Sequence, residues 1–558
     1  MNVQIKKKIE DLIGNYIKTD GPGCAINIIK DETVIYEQYF GLANLEHQVP
    51  INNKTVFNIG SCSKQFTATV IALLEESGEL NVSDSIKNYI PELPDYCNNI
   101  SVDDLVYMRN GIKDFYHITQ FLMGVVEDDF VNSDEVMTLL TNIKEPMFTC
   151  GSQWSYGNTG YYLLSIIVER ITGNTLAEVA KERIFDVLGM KDTFFRNDRT
   201  KVIRHRATGY CKYDYLHRHN EMKSHDVYSL NSDNCELNGP GQVWTTVDDL
   251  VVWNANFYDN KLGKMNPNLI EKLTSPGKLN DGSECPYGYG LFLRERKGLK
   301  HIYHGGSTPG FLSMYLHIPD HNLAIIFLSN SNYGYYELSK RCGEDLEYYI
   351  ADLILGLSLE QNKQIENQGA LPILELNENT HQVSYQCAES SSVWEVTYRD
   401  NELSVNANRS NHFTLYQISD NQFKSKDDKI TCQIKNNSIY VEMNDQTFRF
   451  DPFIPQLTNQ ELLEYVSEYY CSQLDTTFIC DINNGKLHIK NKNRHRNGID
   501  FLYDSSIKDN FITFNSYCGS MMITFLRDVN KKIQSFVYRD YDGDQREKFI
   551  FNRNPKVY

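Results

Sequence analysis

The sequence predicts one large α/β region followed by two small β modules. Three observations carry that fold class. At roughly 150 residues per domain, a chain of 558 residues holds three or four domains. Residues 1–358 mix apolar residues at helical spacing with strand-like runs, whereas residues 373–453 and 459–553 are short alternating strands separated by Asn, Asp, Gly and Ser. Tyr (36) and Phe (27) are abundant, which suits half-buried strand surfaces.

The elements follow in chain order. Ile5, Ile9, Leu12, Ile13, Tyr16 and Ile17 recur at helical spacing with Glu10 and Asp11 among them. This predicts an amphipathic helix; a signal peptide would need an unbroken apolar core and a small-residue cleavage site. CAINIIKDETVIYEQYFGLAN reads as strand, turn at Lys30 to Glu32, strand. Gln65 to Leu80 reads as a buried helix, and Gly160 to Gly173 as a second one that stops at its glycine. FLSMYLHIPDHNLAIIFLSN is an apolar hairpin around Pro319 to Asn322, and a helix over Glu337 to Leu355 closes the region. Residues 359–372 are polar and lack a hydrophobic period, which predicts a linker. NELSVNA, NSIYVEM, GKLHIKN, NFITFN and SMMITFL then predict two small barrels or sandwiches, at 373–456 and 457–558.

Composition excludes several classes of function. Hydrophobic residues at 41% and charged residues at 23% are ordinary globular usage rather than disorder. A net charge of −18 repels a phosphate backbone, and the one basic cluster, Lys486 to Arg496, is too short to offset it. No nucleic-acid partner is expected. Apolar runs such as Leu323 to Leu328 fall far short of the roughly 20 residues that span a bilayer, so no membrane partner is expected either. Thirteen scattered cysteines without a Cys-x-x-Cys predict reduced thiols and a cytoplasmic location.

Three motifs carry chemistry. Ser61-Cys62-Ser63-Lys64 opens the Gln65 helix, placing a hydroxyl and an amine three residues apart on one face, beside unpaired helix N–H groups. Ser275 to Lys278 and Ser505 to Lys508 repeat the spacing and read as coincidences in a loop and at a strand end. Tyr156-Gly157-Asn158 precedes the second helix, and a phenol near a Ser–Lys pair can relay a proton. Taken alone it is equally a turn tyrosine covering the core, since Tyr96-Cys97-Asn98 and Tyr258-Asp259-Asn260 share its spacing. His304-Gly305-Gly306-Ser307 lets substrate lie against backbone N–H groups; alone it is equally a glycine-rich turn with a surface histidine.

Together, in the order Ser-x-x-Lys, Tyr-x-Asn, His-x-Gly, they make the sequence resemble the penicillin-recognising serine hydrolases of the peptidase S12 type: class C β-lactamases, DD-peptidases, related esterases and D-aminopeptidases. The segments GSCSKQFTATVIALLEESGEL, FTCGSQWSYGNTGYYLLSIIVERITGNTL, RIFDVLGMKDTFF, GPGQVWTTVDDLVVW, PYGYGLFL and YHGGSTPGF resemble the same family over about residues 5–355. Two β modules after the catalytic region, RNGIKDFYHITQFLMG, and a histidine in the third motif resemble the D-aminopeptidase branch most. The implied fold is a serine β-lactamase/penicillin-binding-protein-like domain, an antiparallel sheet flanked by helices over 1–358. Two lipocalin-like antiparallel β-barrels then follow the linker.

The resemblance also implies a mechanism. Ser61 attacks a carbonyl; Lys64 and Tyr156 share the proton traffic; Asn158 holds the substrate amide and orients Lys64. Backbone N–H groups of Ser61 and Ser307 form the oxyanion hole next to Gly306, and His304 contacts Tyr156 or the polar end of the substrate. Water completes hydrolysis of the acyl-enzyme with no cofactor. The implied function is release of N-terminal D-residues from small amides or short peptides, with an esterase, DD-peptidase or weak β-lactamase on the same site as the alternative. A homodimer is admitted. His304 in place of a lysine implies slow acylation by β-lactams at most. In the D-aminopeptidase branch a loop of the last barrel reaches the active site; here Asn515 to Ser520 carries no acidic residue for a substrate ammonium, and Asn491 to Gly498 is another loop that could close the site.

A non-catalytic scaffold of the same fold has no physical need for Ser61, Lys64, Tyr156 and His304 together. Carbohydrate-binding barrels are poorly served by the single Trp394. Asp540, Asp542 and Asp544 have calcium-loop intervals, but Gln545 and Phe551 stand where that loop needs Gly and Glu. Pro319 bars the helix that would align His317 with His321 for a metal. Cys62 reads as a buried filler.

Overall fold

The computed structural model describes the chain apart from residues 124–130, 212–227, 231–233, 264–266, short stretches between 332 and 344, 358–382, short connections between barrel strands, and 555–558. The linker at 359–372 lies outside the described residues. So do Asp542 and Asp544, and most of the loops Asn491 to Gly498 and Asn515 to Ser520. The chain divides into two compact units, Met1–Phe121 with Val125–Glu360, and Leu122–Gly124 with Gln361–Tyr558.

The first unit is built on a six-stranded antiparallel sheet. Its strands are β1 (Cys24–Lys30), β2 (Thr33–Phe40), β3 (Phe292–Arg296), β4 (Leu299–Thr308), β5 (Phe311–Ile318) and β6 (Leu323–Ser329), in the spatial order β3-β4-β5-β6-β1-β2. Each hairpin of the sheet is local in sequence; only the β1–β6 seam joins distant segments, pairing Cys24 with Ser329. The turn expected at Lys30 to Glu32 is there, with Asp31 and Glu32 both at positive φ, the geometry that matches strand twist in a two-residue hairpin.

Alternation along the strands sends Ile26, Ile28, Leu316, Ile318, Ile325 and Phe327 to one face. There they meet Ile9 and Ile13 of helix α1 (Val3–Gly14), the predicted amphipathic helix, and Ile350 and Ala351 of a carboxy-terminal helix, Leu346–Leu355. The opposite face carries helix Val247–Asp259, whose Asn254 Oδ1 accepts from Tyr315 Oη at 2.9 Å and lies 3.0 Å from His317 Nδ1. His317 is thus spent inside the fold, and among the described residues no group of three His, Cys, Asp or Glu is placed to hold a metal.

Two buried helices stand over this second face. Helix α2 (Lys64–Glu76) is four residues shorter than the Gln65 to Leu80 expectation at its far end, because Gly78 turns the chain at φ +74. Helix α3 (Thr159–Thr172) ends on Gly173 at φ +70, as the glycine predicts. No helix among the described residues is long and apolar enough to cross a membrane.

The second unit contains two closed antiparallel β-barrels of eight strands each, running in sequential order from Val383–Cys387 to Gln446–Pro452 and from Ser467–Cys471 to Lys548–Arg553. The five alternating runs singled out in the sequence lie on the strands Glu402–Ala407, Ser438–Met443, Lys486–Asn491, Asn510–Asn515 and Gly519–Arg527. Both interiors are filled by side chains, as eight strands allow. Trp394, Leu403, Leu415, Phe423, Val441 and Phe450 fill the first. Aromatic rings fill the second, with Phe536 stacked on Phe551 at 4.7 Å and Tyr465 against Phe511 at 4.8 Å.

Candidate active site

Ser61 does not begin α2; it sits on a 3₁₀ turn, Gly60–Ser63, that leads into it. In a 3₁₀ turn side chains at i and i+3 eclipse, which puts Ser61 and Lys64 on one line. Lys64 Nζ is 3.0 Å from Ser61 Oγ.

The turn is held by the sheet. Gly60, at φ +48, presses on Ser307, and a Cβ there would lie 2.9 Å from the Ser307 nitrogen. Gly306 presses on the turn from the other side: a Cβ would collide with the Ile59 carbonyl oxygen and come within 2.5 Å of Ser313 Oγ. Ser313 Oγ donates to Ile59 O at 2.7 Å, and Cys62 Sγ to His304 O at 2.9 Å. Backbone segments 59–62 and 304–307 are therefore in direct contact, which brings the Ser61 and Ser307 backbones to the same place. Cys62, 1% exposed and with its thiol pushed up to about 12 by burial, is an inert part of that contact.

Lys64 is fully buried. Besides Ser61, its Nζ donates to Asn158 Oδ1 at 2.9 Å and to the Pro240 carbonyl at 2.8 Å. Burial pulls the amine down to about 7, against the opposing pull of Asp114 and Cys62. The valence count is informative. A neutral amine has two N–H groups and one lone pair; two partners, the carbonyl oxygens of Asn158 and Pro240, can only accept. The lone pair is left for the Ser61 hydroxyl proton. Below about pH 7 the amine gains its third proton and loses that lone pair, so a reaction needing it as base gains rate as pH rises through about 7. A pH profile of kcat/KM on an activated ester is expected to show an acidic limb there, falling about tenfold per pH unit below it.

Tyr156 is half-buried on the turn before α3. Its phenol hydrogen-bonds Ser61, its ring centroid lies 5.0 Å from Lys64 Nζ, and it stacks on Phe292 at 5.9 Å and 13°. Burial raises this phenol well above its ordinary range, outweighing the hydrogen bond to Ser61. Asn158 caps α3 and places its side chain on Lys64.

His304, on β4, is 1% exposed, and its ring nitrogens face groups other than Tyr156. Its Nδ1 faces its neighbour's carbonyl, Gly305 O, at 2.5 Å, and its Nε2 is 2.8 Å from Tyr287 Oη. The Nδ1–H tautomer satisfies both, with Nε2 accepting from the phenol. Burial, with Lys64 nearby, pulls the imidazole down to about 3, so it is neutral at physiological pH. Tyr156 meets it only ring to ring, at 6.1 Å. The structure thus brings Ser61, Lys64, Tyr156, Asn158, His304, Gly306 and Ser307 into one place, and turns the polar atoms of His304 toward Tyr287. Sequence reasoning missed Tyr287, the Pro240 carbonyl and Asp114. Tyr287 and Asp114 stand in PYGYGLFL and RNGIKDF, but no spacing rule ties those segments to Ser61, and a backbone carbonyl such as that of Pro240 leaves no residue-specific signal.

Comparison with known proteins gives the family. The model of the Beta-lactamase family matches residues 8–341. A D-aminopeptidase from Brucella anthropi is 27% identical over 351 residues, covering 63% of this chain and 62% of that protein. A penicillin-binding protein from Bacillus subtilis (strain 168) is 31% identical over 329 residues, covering 57% and 68%. Among solved structures, the octameric penicillin-binding protein homologue from Pyrococcus abyssi shares the fold at a TM-score of 0.54 and 21% identity, over 81% of this chain and 100% of that one. The chain spans a little less than two thirds of the length of the Brucella anthropi enzyme. It belongs to the beta-lactamase family, with the serine-hydrolase fold related to D-aminopeptidases and penicillin-binding proteins.

Proposed function

We propose that the protein hydrolyses small amides or short peptides through an acyl-enzyme on Ser61, in the manner of a D-aminopeptidase. The observation that carries this reading is the partner set of Lys64 Nζ: two carbonyl acceptors and one hydroxyl. In the first step the Ser61 O–H proton passes to Lys64 Nζ as Oγ bonds to the substrate carbonyl carbon. The oxygen of the tetrahedral intermediate takes hydrogen bonds from the N–H groups of Ser61 and Ser307. Tyr156, whose phenol keeps its proton at working pH, donates it to the departing nitrogen and recovers one from Lys64. Asn158 holds the substrate amide, and Gly306 leaves room for backbone contact. His304 and Tyr287 support the β4 backbone. Water then cleaves the acyl-enzyme.

Kinship with the Brucella anthropi D-aminopeptidase supports D-selectivity. Release of p-nitroaniline from D-alanyl p-nitroanilide, at least tenfold faster than from the L form, is the expected result. Equal rates, or turnover of neither, would refute the D-aminopeptidase reading. Kinship with the Bacillus subtilis penicillin-binding protein favours an esterase or DD-peptidase as second reading, which activity on acyl-D-peptides alone would establish.

The same proposal extends to the whole chain. It comprises a catalytic domain at 1–358, a linker at 359–372 and two barrels of lipocalin type at 373–456 and 457–558, supported by the sequential closed meander of each barrel. We place the protein in the cytoplasm, supported by the buried thiols Cys24, Cys97, Cys285, Cys387, Cys432 and Cys480. Self-association, with a homodimer as the simplest form, draws support from the octameric Pyrococcus abyssi homologue.

A further inference from the structure

The segment Lys113, Asp114, Phe115 is stitched to the turn that carries Tyr156 and Asn158. Thr159 Oγ1 donates to Lys113 O at 2.9 Å and accepts from the Phe115 N–H at 2.8 Å. Asp114 is bonded through both oxygens. Oδ1 accepts from the His117 N–H at 3.1 Å, and Oδ2 accepts from the Asn158 N–H in a short hydrogen bond. The side chain of that same Asn158 accepts from Lys64 Nζ at 2.9 Å. One residue therefore separates a carboxylate from the amine facing Ser61.

We propose that Asp114 is a positioning residue of the acylation step: its carboxylate clamps the Asn158 backbone, so that the side-chain amide holds Lys64 Nζ against Ser61. This rests on the serine-hydrolase reading above. The titratable groups facing the amine are Asp114, Cys62, Tyr156, Tyr161 and His304. Burial pulls the lysine down, and Asp114 is the leading influence in the other direction. The carboxylate takes no proton in the reaction; the Ser61 proton still goes to Lys64.

The test measures the Ser61-dependent acylation rate with p-nitrophenyl acetate across pH, with Ser61→Ala as background. Asp114→Asn removes the charge and keeps one acceptor. Its acidic limb is expected about one pH unit below that of the wild type. Asp114→Glu keeps the charge but shifts the carboxylate, so its limb stays in place while the plateau falls about tenfold. A merely structural Asp114 would lower both plateaus and move neither limb. An Asp114→Asn limb that coincides with the wild type overturns the proposal. Should that variant not fold, an Asp114→Glu limb displaced from the wild type, or a plateau left intact, overturns it instead. Ester release in the wild type no faster than in Ser61→Ala would overturn the hydrolase reading and this proposal together.

Discussion

Ser61→Ala is expected to lower kcat by about 10⁴-fold or more while leaving the fold intact. The hydroxyl makes no contact on which the core depends; its neighbours are Lys64 Nζ at 3.0 Å and the Tyr156 phenol. Without it the lysine keeps two carbonyl partners, and the turn keeps its anchors at Ser313 and His304. The loss is therefore chemical rather than structural, and steady-state turnover beside an unchanged urea midpoint measures it. Turnover surviving in the variant would assign catalysis to another group. Partner binding without any turnover in the wild type would mark a scaffold that kept the constellation.

Gly306→Ala is expected to fail in the opposite way, by destabilisation. A methyl group there meets the Ile59 carbonyl and Ser313 Oγ, and a backbone oxygen cannot rotate aside. Either β4 or the 3₁₀ turn must move, at a cost of about 3 kcal/mol. A shift of that kind separates Ser307 from Ser61, so kcat/KM is expected to fall about 10²-fold or more. Gly305→Ala is the internal control. Its methyl meets Met314 Sδ at 2.9 Å, the flexible part of a side chain that can swing away, so the cost stays within about 1 kcal/mol. Equal midpoints for the two variants would refute the contact between β4 and the turn as the source of the effect.

The parts of this molecule legible in its sequence are those set by near neighbours. The strand-turn-strand of Cys24 to Phe40, the Pro319 to Asn322 hairpin, the α3 stop at Gly173 and the barrel strands all follow from periods and breakers within about ten residues. Ser61 and Lys64 could be read as a pair because three residues of a tight turn determine their meeting. What was not legible depends on distant backbone. No spacing shows that β1 lies between β2 and β6, because that seam is chosen by burial on both faces. Pro240 contributes a carbonyl, which every residue has, so its identity carries no signal. His304 could be seen as part of the site, yet its partner could not. Tyr287 reaches it because its segment bridges antiparallel to Phe292 at the start of β3, beside β4, and the sequence offers several other tyrosines for that place.

The β1–β6 seam also governs how the molecule is made. A chain elongating at about 5–20 residues per second reaches Ser329 on the order of 15–60 s after Cys24. Through that interval β1, apolar except for Asn27 and Lys30, has only β2 beside it, and its other edge lacks a partner. The barrels close on a shorter clock, since the ladders that shut them join Tyr385 to Pro452 and Tyr469 to Arg553. The unit with the six-stranded sheet thus begins synthesis first and spends longer with an open edge. Ser61 waits in a nascent chain for the strand pair, β4 and β5, that braces its turn.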